Sequence, residues 1–111
     1  MVEEHAEQLD AVFQALADST RRGMLHALAG GERTIGELAA PYAMSFAGAS
    51  KHVKALERAG LVRRRVQGRR HICSLDPAGL AEADRWLSFY GHFWRDRLHA
   101  LEVALAQGDM P

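Results

Sequence analysis

Ser45-Phe46-Ala47-Gly48-Ala49-Ser50-Lys51-His52-Val53-Lys54-Ala55-Leu56-Glu57-Arg58-Ala59-Gly60-Leu61-Val62-Arg63-Arg64-Arg65-Val66-Gln67-Gly68-Arg69-Arg70-His71-Ile72-Cys73-Ser74-Leu75 is the stretch whose reading decides the fold. Ser45 has the hydroxyl of an N-cap, and Ala49, Val53 and Leu56 recur at helical spacing, which predicts a helix over 45–59 with those three inward. Gly60 ends it. Two short β-prone runs, Leu61 to Val66 and His71 to Leu75, then flank Gln67-Gly68-Arg69-Arg70, so a β-hairpin with a basic tip is predicted over 61–75. Within this stretch eight Lys or Arg stand against one acid, Glu57, while the chain as a whole has zero net charge. The remainder is correspondingly acidic, and such a bipolar chain offers one face to a polyanion.

Upstream, Leu9, Val12, Phe13 and Leu16 have helical spacing and predict a first helix ending near Asp18. Ser19 or Asp18 caps a second over about 20–28, with Met24, Leu25 and Leu28 on its apolar stripe and Gly30-Gly31 as its stop. Thr34-Ile35-Gly36-Glu37 has the form of a capping box opening a short third helix that Pro41 closes. A short helix, a tight connection and a longer basic helix form a helix-turn-helix. Downstream, Asp76-Pro77 starts a last helix over 76–107, an N-cap followed by proline at the first helical position. That helix carries Trp86, Phe89, Tyr90, Phe93 and Trp94 together with Leu98, Leu101 and Leu105, apolar on more than one stripe. A small monomer covers one such face, and the surplus calls for a partner helix.

At 111 residues, 48% hydrophobic and 25% charged, the chain reads as one soluble domain over 1–111 with an ordered core over 8–107. No apolar run approaches the roughly 20 residues that span a bilayer, and Met1-Val2-Glu3-Glu4-His5 is no secretory leader, so a cytoplasmic protein without a membrane partner is expected. The single Cys73 forms no internal disulfide and cannot build a thiolate metal site; it is read as a small apolar filler, with a redox thiolate near Arg69 and Arg70 as the alternative. There is no Gly-rich phosphate loop, nucleophile with a base or metal-activating cluster, which excludes an enzyme reading.

Three runs are familiar as well as regular: Ala15-Leu16-Ala17-Asp18-Ser19-Thr20-Arg21-Arg22, then Ser50 to Val62, then Gly68-Arg69-Arg70-His71. Together they resemble the ArsR/SmtB family of bacterial transcriptional repressors, over about Leu9 to Leu105. The resemblance implies a winged helix-turn-helix of order α-α-α-α-β-β-α, mainly helical with a small hairpin. It further implies a homodimer through the first and last helices, which adds Leu9, Val12 and Phe13 to the interface residues of the last helix. The implied partner is a near-palindromic double-stranded DNA operator. The cysteine box of metal-sensing members would fall at Glu37-Leu38-Ala39-Ala40-Pro41, which has no Cys, and Pro77 and Gly79 stand where other members place metal ligands. No metal or cofactor is therefore expected, and the resemblance leaves the inducer unnamed.

The DNA-binding residues expected on this basis fall in two groups. Lys51, Lys54, Arg65, Arg69 and Arg70 meet phosphates, which give affinity without sequence information, and Ser45 at the helix start is counted with the DNA-binding residues. Phe46, Ala47, Gly48, Ser50, Lys51 and His52, on the first turns of the fourth helix, meet base edges, with phosphate contact as the alternative for His52. Arg63, Arg64 and Arg65 alternate along a strand, so Arg64 is the one expected to face away. Arg21 and Arg22, which open the second helix beside Asp18, are read as structural, pairing with Asp18 or covering apolar surface with their stems, with a DNA contact as the alternative. His92, Asp96 and His99 share a face of the last helix at i, i+4 and i+7, and read either as solvent-side polar residues or as metal ligands. Two other functions fit the same composition: a winged-helix module that meets an acidic protein, and a ligand or redox sensor.

Overall fold

The computed structural model describes residues 2–108, with side chains for 6–108, so Met1, the side chain of His5 and the chain end beyond Gly108 lie outside what it describes. Its elements are α1 (Val2–Leu16), α2 (Ser19–Ala29), β1 (Arg33–Thr34), α3 (Ile35–Ala39), α4 (Phe46–Arg58), β2 (Val62–Gln67), β3 (Arg70–Leu75) and α5 (Pro77–Ala106). The starts of α2, α3, α4 and α5 are chemically marked. Asp18 caps α2 by accepting from the Arg21 backbone N–H at 3.1 Å, and the Thr34–Glu37 capping box opens α3 with reciprocal bonds of 3.1 and 2.9 Å. Ser45 caps α4 through Gly48 N–H at 3.0 Å, and Asp76 caps α5 ahead of Pro77.

The fourth helix ends in a Schellman arrangement: Gly60 N–H donates to the Glu57 carbonyl and Leu61 N–H to the Leu56 carbonyl, with Gly60 at φ 73°. Leu61 is thereby turned into the core at the root of the wing. The strands β2 and β3 pair antiparallel from Val62↔Leu75 to Gln67↔Arg70. The sheet has three strands rather than the two of a bare hairpin, in the order β1-β3-β2. The segment leading from Gly31 into the capping box is extended, and Arg33↔Cys73 and Thr34↔Ile72 complete the free edge of β3. Two residues carry too little periodicity to be read as a strand from sequence. The first helix also starts at Val2, ahead of the 8–107 core expected from its apolar spacing.

Val12, Met24, Leu28, Ile35, Leu38, Val53, Leu56, Leu61 and Cys73 make one continuous core under the three-helix unit and the sheet. Val12 is 0% exposed and belongs to this core, which removes it from the residues available to a partner. Leu9 and Phe13 are half-buried, and the Phe13 ring meets Trp86 edge-on at 5.5 Å. Only Gly79 and Ala83 of α5 are buried; beyond them Phe89 is 75% and Trp94 63% exposed. The radius of gyration is 18.8 Å, against about 13 Å for a compact chain of this length. The excess comes from α5, about 45 Å long at 1.5 Å per residue, which leaves the body of the domain behind.

Candidate nucleic-acid interface

The site is built on α4. Ala49, Val53 and Leu56 fix one stripe in the core, which dictates what the remaining positions face. Lys51, Lys54 and Arg58 point away from that stripe and are exposed. Ser50 and His52 are both half-buried and, at about 100° per residue, lie about 200° apart around the axis, on opposite flanks.

One flank looks to the wing. Phe46, 61% exposed at the first turn, shares a cleft of about 430 Å³ with Arg69, Arg70 and His71 of the wing and with the Thr34–Glu37 start of α3. Gly68, at φ 64°, makes the tight turn that thrusts Arg69 and Arg70 out. The Glu37 carboxyl on the cleft wall is held below the usual carboxylate range, first by the Thr34 backbone N–H, then by its hydroxyl, with the charges of Arg33 and Arg70 adding to this.

The other flank looks to α2. Here Arg21 Nε donates to His52 Nδ1 at 3.0 Å, and with Gly48, Lys51, Lys54, Ala55 and Arg58 the pair lines a groove of about 580 Å³. Arg21 was expected to pair with Asp18 through its charge. Instead its backbone N–H takes the Asp18 carboxylate, and its guanidinium is committed to His52. Arg22 Nη1 donates to the Leu16 carbonyl at 2.7 Å, so it secures the α1–α2 corner.

The arginines of β2 divide by register. Arg64 turns inward, as its alternate position requires; its Nε donates to Glu57 Oε1 at 3.1 Å, its Nη2 bonds the same oxygen, and its Nη1 stands 3.3 Å from His71 Nδ1. The Glu57 carboxylate raises the Arg64 pKa further above its ordinary value against the pull of burial. This network ties α4 to the wing. Arg63 lies 3.5 Å from Asp76. Arg65 was expected to be free for phosphate, yet its Nη1 donates to Glu32 Oε2 at 2.8 Å across two exposed side chains. Among the described residues, no carboxylate oxygen lies within ion-pair distance of Lys51, Lys54, Arg58, Arg69 or Arg70. Lys51, Lys54 and Arg58 share the groove on the α2 flank, and Arg69 and Arg70 the cleft on the wing flank.

The remaining candidates lie elsewhere. Cys73 is fully buried in the core, and burial pushes its thiol pKa up, the reverse of what a redox thiolate needs. His92, Asp96 and His99 are exposed on α5, where Arg95 Nη2 stands 3.2 Å from His92 Nδ1. Among the described residues, no three His, Cys, Asp or Glu side chains converge as a metal-holding group. The Arg21–His52 and Glu57–Arg64–His71 links were not legible in the sequence, because their partners have no local spacing rule. No described helix is long and apolar enough to cross a membrane.

Comparison with known proteins fits this geometry. A helix-turn-helix domain model matches residues 16–65, from the end of α1 into β2. The chain is 46% identical over 72 residues to the HTH-type transcriptional regulator Rv2034 of Mycobacterium tuberculosis, covering 65% of this chain and 67% of that protein. It is 30% identical over 79 residues to the transcriptional repressor SdpR of Bacillus subtilis, covering 71% and 88%. Among solved structures, an ArsR family transcriptional regulator, RHA00566, superposes with a TM-score of 0.75 at 38% identity, over 81% of this chain and 93% of that one. A homodimeric winged helix-turn-helix DNA-binding domain from Mycobacterium bovis does so with a TM-score of 0.61 at 30% identity, over 86% and 85%. These relatives are regulators rather than enzymes. With the α3–α4 unit, the three-stranded wing and this extent of similarity in place, the chain belongs to the ArsR family of winged helix-turn-helix transcriptional regulators.

Proposed function

We propose that the protein is a cytoplasmic homodimer that binds a near-palindromic double-stranded operator and represses transcription by occluding the promoter, its own included. The observation that carries this reading is the set of cations on α4 and the wing, Lys51, Lys54, Arg58, Arg69 and Arg70, that have no carboxylate at ion-pair distance among the described residues. Free cations of this kind release counterions from DNA. In this reading Lys54, Arg69 and Arg70 hold phosphates, with the Ser45 hydroxyl donating beside them and Arg65 joining once Glu32 lets it go. Ser50 and Lys51 supply the donors to base edges, with Phe46 and Ala47 against a thymine methyl and Gly48 allowing close approach.

Two α4 helices in successive major grooves require half-sites roughly 34 Å apart, and a symmetric dimer provides that spacing. The exposed aromatic and leucine face of α5, Trp86, Phe89, Tyr90, Phe93, Trp94, Leu98, Leu101 and Leu105, with Leu9 and Phe13 of α1, supports pairing of two copies there. The homodimeric M. bovis domain and the repressor SdpR support the assembly and the mode of action. The test is a binding selection from genomic fragments at about 150 mM salt, which suppresses purely electrostatic association. Enrichment of one inverted repeat is expected. Equal retention of all fragments, or of none, would move the reading to an architectural or protein-binding role.

A further inference from the structure

Arg21 and His52 are 31 residues apart in sequence and bonded in space, both half-buried. A guanidinium only donates, so His52 Nδ1 is the acceptor, and the ring proton of the neutral imidazole sits on Nε2. The pair consequently presents donors alone: the Nε2–H of His52 and the N–H groups on Arg21 Nη1 and Nη2. They open on the groove that Lys51, Lys54 and Arg58 also line, and among the described residues no acid lines it. The nearby carboxylate of Asp18 accepts the Arg21 backbone N–H at 3.1 Å and does not line the groove. Donors gathered in a groove that no carboxylate lines match an anion that carries several acceptor oxygens.

Position selects the DNA backbone over the base edges. His52 lies on the flank of α4 opposite Ser50 and Phe46, and it is held against α2 rather than directed beyond the helix. When a helix seats in a major groove about 12 Å wide, its two flanks face the two phosphate ribbons. The wing side already carries Arg69 and Arg70 for one ribbon. We propose that Arg21 and His52 form a phosphate clamp for the other ribbon, gripping one backbone phosphate per half-site and setting how α4 lies in the groove. The clamp rests on the reading of α4 as the DNA-binding helix and moves His52 from base contact to phosphate contact.

The experiment is a salt titration of binding, read by fluorescence anisotropy, on the selected operator and on an unrelated duplex, for the wild-type dimer, Arg21→Ala and His52→Ala. Loss of one phosphate contact lowers the slope of log affinity against log salt by about one. Arg21→Ala is expected to do this while weakening both duplexes by the same factor. His52→Ala is expected to weaken both duplexes equally by a smaller factor. A scan of single neutral methylphosphonate linkages should find one backbone position per half-site that weakens wild type strongly and His52→Ala, which keeps Arg21, by a smaller factor. That scan needs no Arg21 variant and decides the matter if Arg21→Ala does not fold. A changed preference at one base pair with an unchanged slope would overturn the clamp in favour of base readout. Unchanged affinity with reduced thermal stability would make the pair structural. A wild type without salt-dependent DNA binding would overturn the proposed function along with the clamp.

Discussion

Gly79 donates its backbone N–H to the Gly60 carbonyl at 2.8 Å, and this bond joins the start of α5 to the end of α4. The two backbones approach so closely that a Cβ on Gly79 would lie 2.7 Å from the carbonyl oxygens of both Ala59 and Gly60. The long helix that leaves the domain is therefore anchored directly to the end of the helix assigned to DNA.

Gly79→Ala is expected to lower stability by about 1–3 kcal/mol, because the obstructing atoms are backbone and cannot rotate away. Chemical denaturation reads this, and a midpoint equal to wild type would show that the two helices are less tightly joined than the geometry implies.

Glu57→Gln removes the charge to which Arg64 donates and loosens the α4–wing link. A loss of about 1–2 kcal/mol is expected for a charge-assisted, partly buried bond. Operator affinity should fall in parallel, since Arg69 and Arg70 ride on the same wing. If affinity fell with no stability change, Glu57 would have a role beyond holding Arg64.

Glu32→Gln releases Arg65 from an exposed pair. Such pairs are worth at most about 1 kcal/mol, so duplex affinity should rise by up to about fivefold, with a steeper salt dependence. Weaker binding in the variant would mean that Glu32 positions Arg65 instead of competing for it.

Trp94→Glu and Leu98→Glu place a charge on the exposed face of α5. Both should sediment as monomers and lose operator binding, while their far-ultraviolet spectra stay helical, since neither residue belongs to the protomer core. Two variants that remain dimeric would remove this face from the interface.

Acid should destabilise the domain through its helix caps. Asp18 is held below its ordinary value of 3.8 by the Arg21 backbone N–H, and Glu37 below 4.5 by the Thr34 backbone N–H. A depressed pKa in the folded state gives stability that is complete above the unfolded value and is lost as pH falls through the folded one. The melting temperature should thus stay level through neutral pH and decline below about pH 4. Asp18→Ala should cost about 1 kcal/mol at pH 7 and flatten part of that decline. An unchanged acid limb in Asp18→Ala would assign it to other carboxylates.

The elements themselves were legible in the sequence because their signals are local. Ser45, Asp76 and the Thr34–Glu37 pair mark helix starts through bonds reaching two or three residues, Gly60 and Gly68 mark turns through backbone conformation, and Ala49-Val53-Leu56 marks a buried stripe by period alone. The concentration of cations between Ser45 and Leu75 is likewise a property of order along the chain. What the tertiary structure decided is which of those cations are free. Arg64 is consumed by Glu57 and Arg65 by Glu32, through partners 7 and 33 residues away. The addition of β1 to the sheet and the burial of Val12 in its own protomer's core depend equally on where packed elements meet. Caps and periodicity are set by a residue's neighbours in sequence; pairing and exposure are set by its neighbours in space, and those exist only once the core around Leu56 and Leu61 has closed.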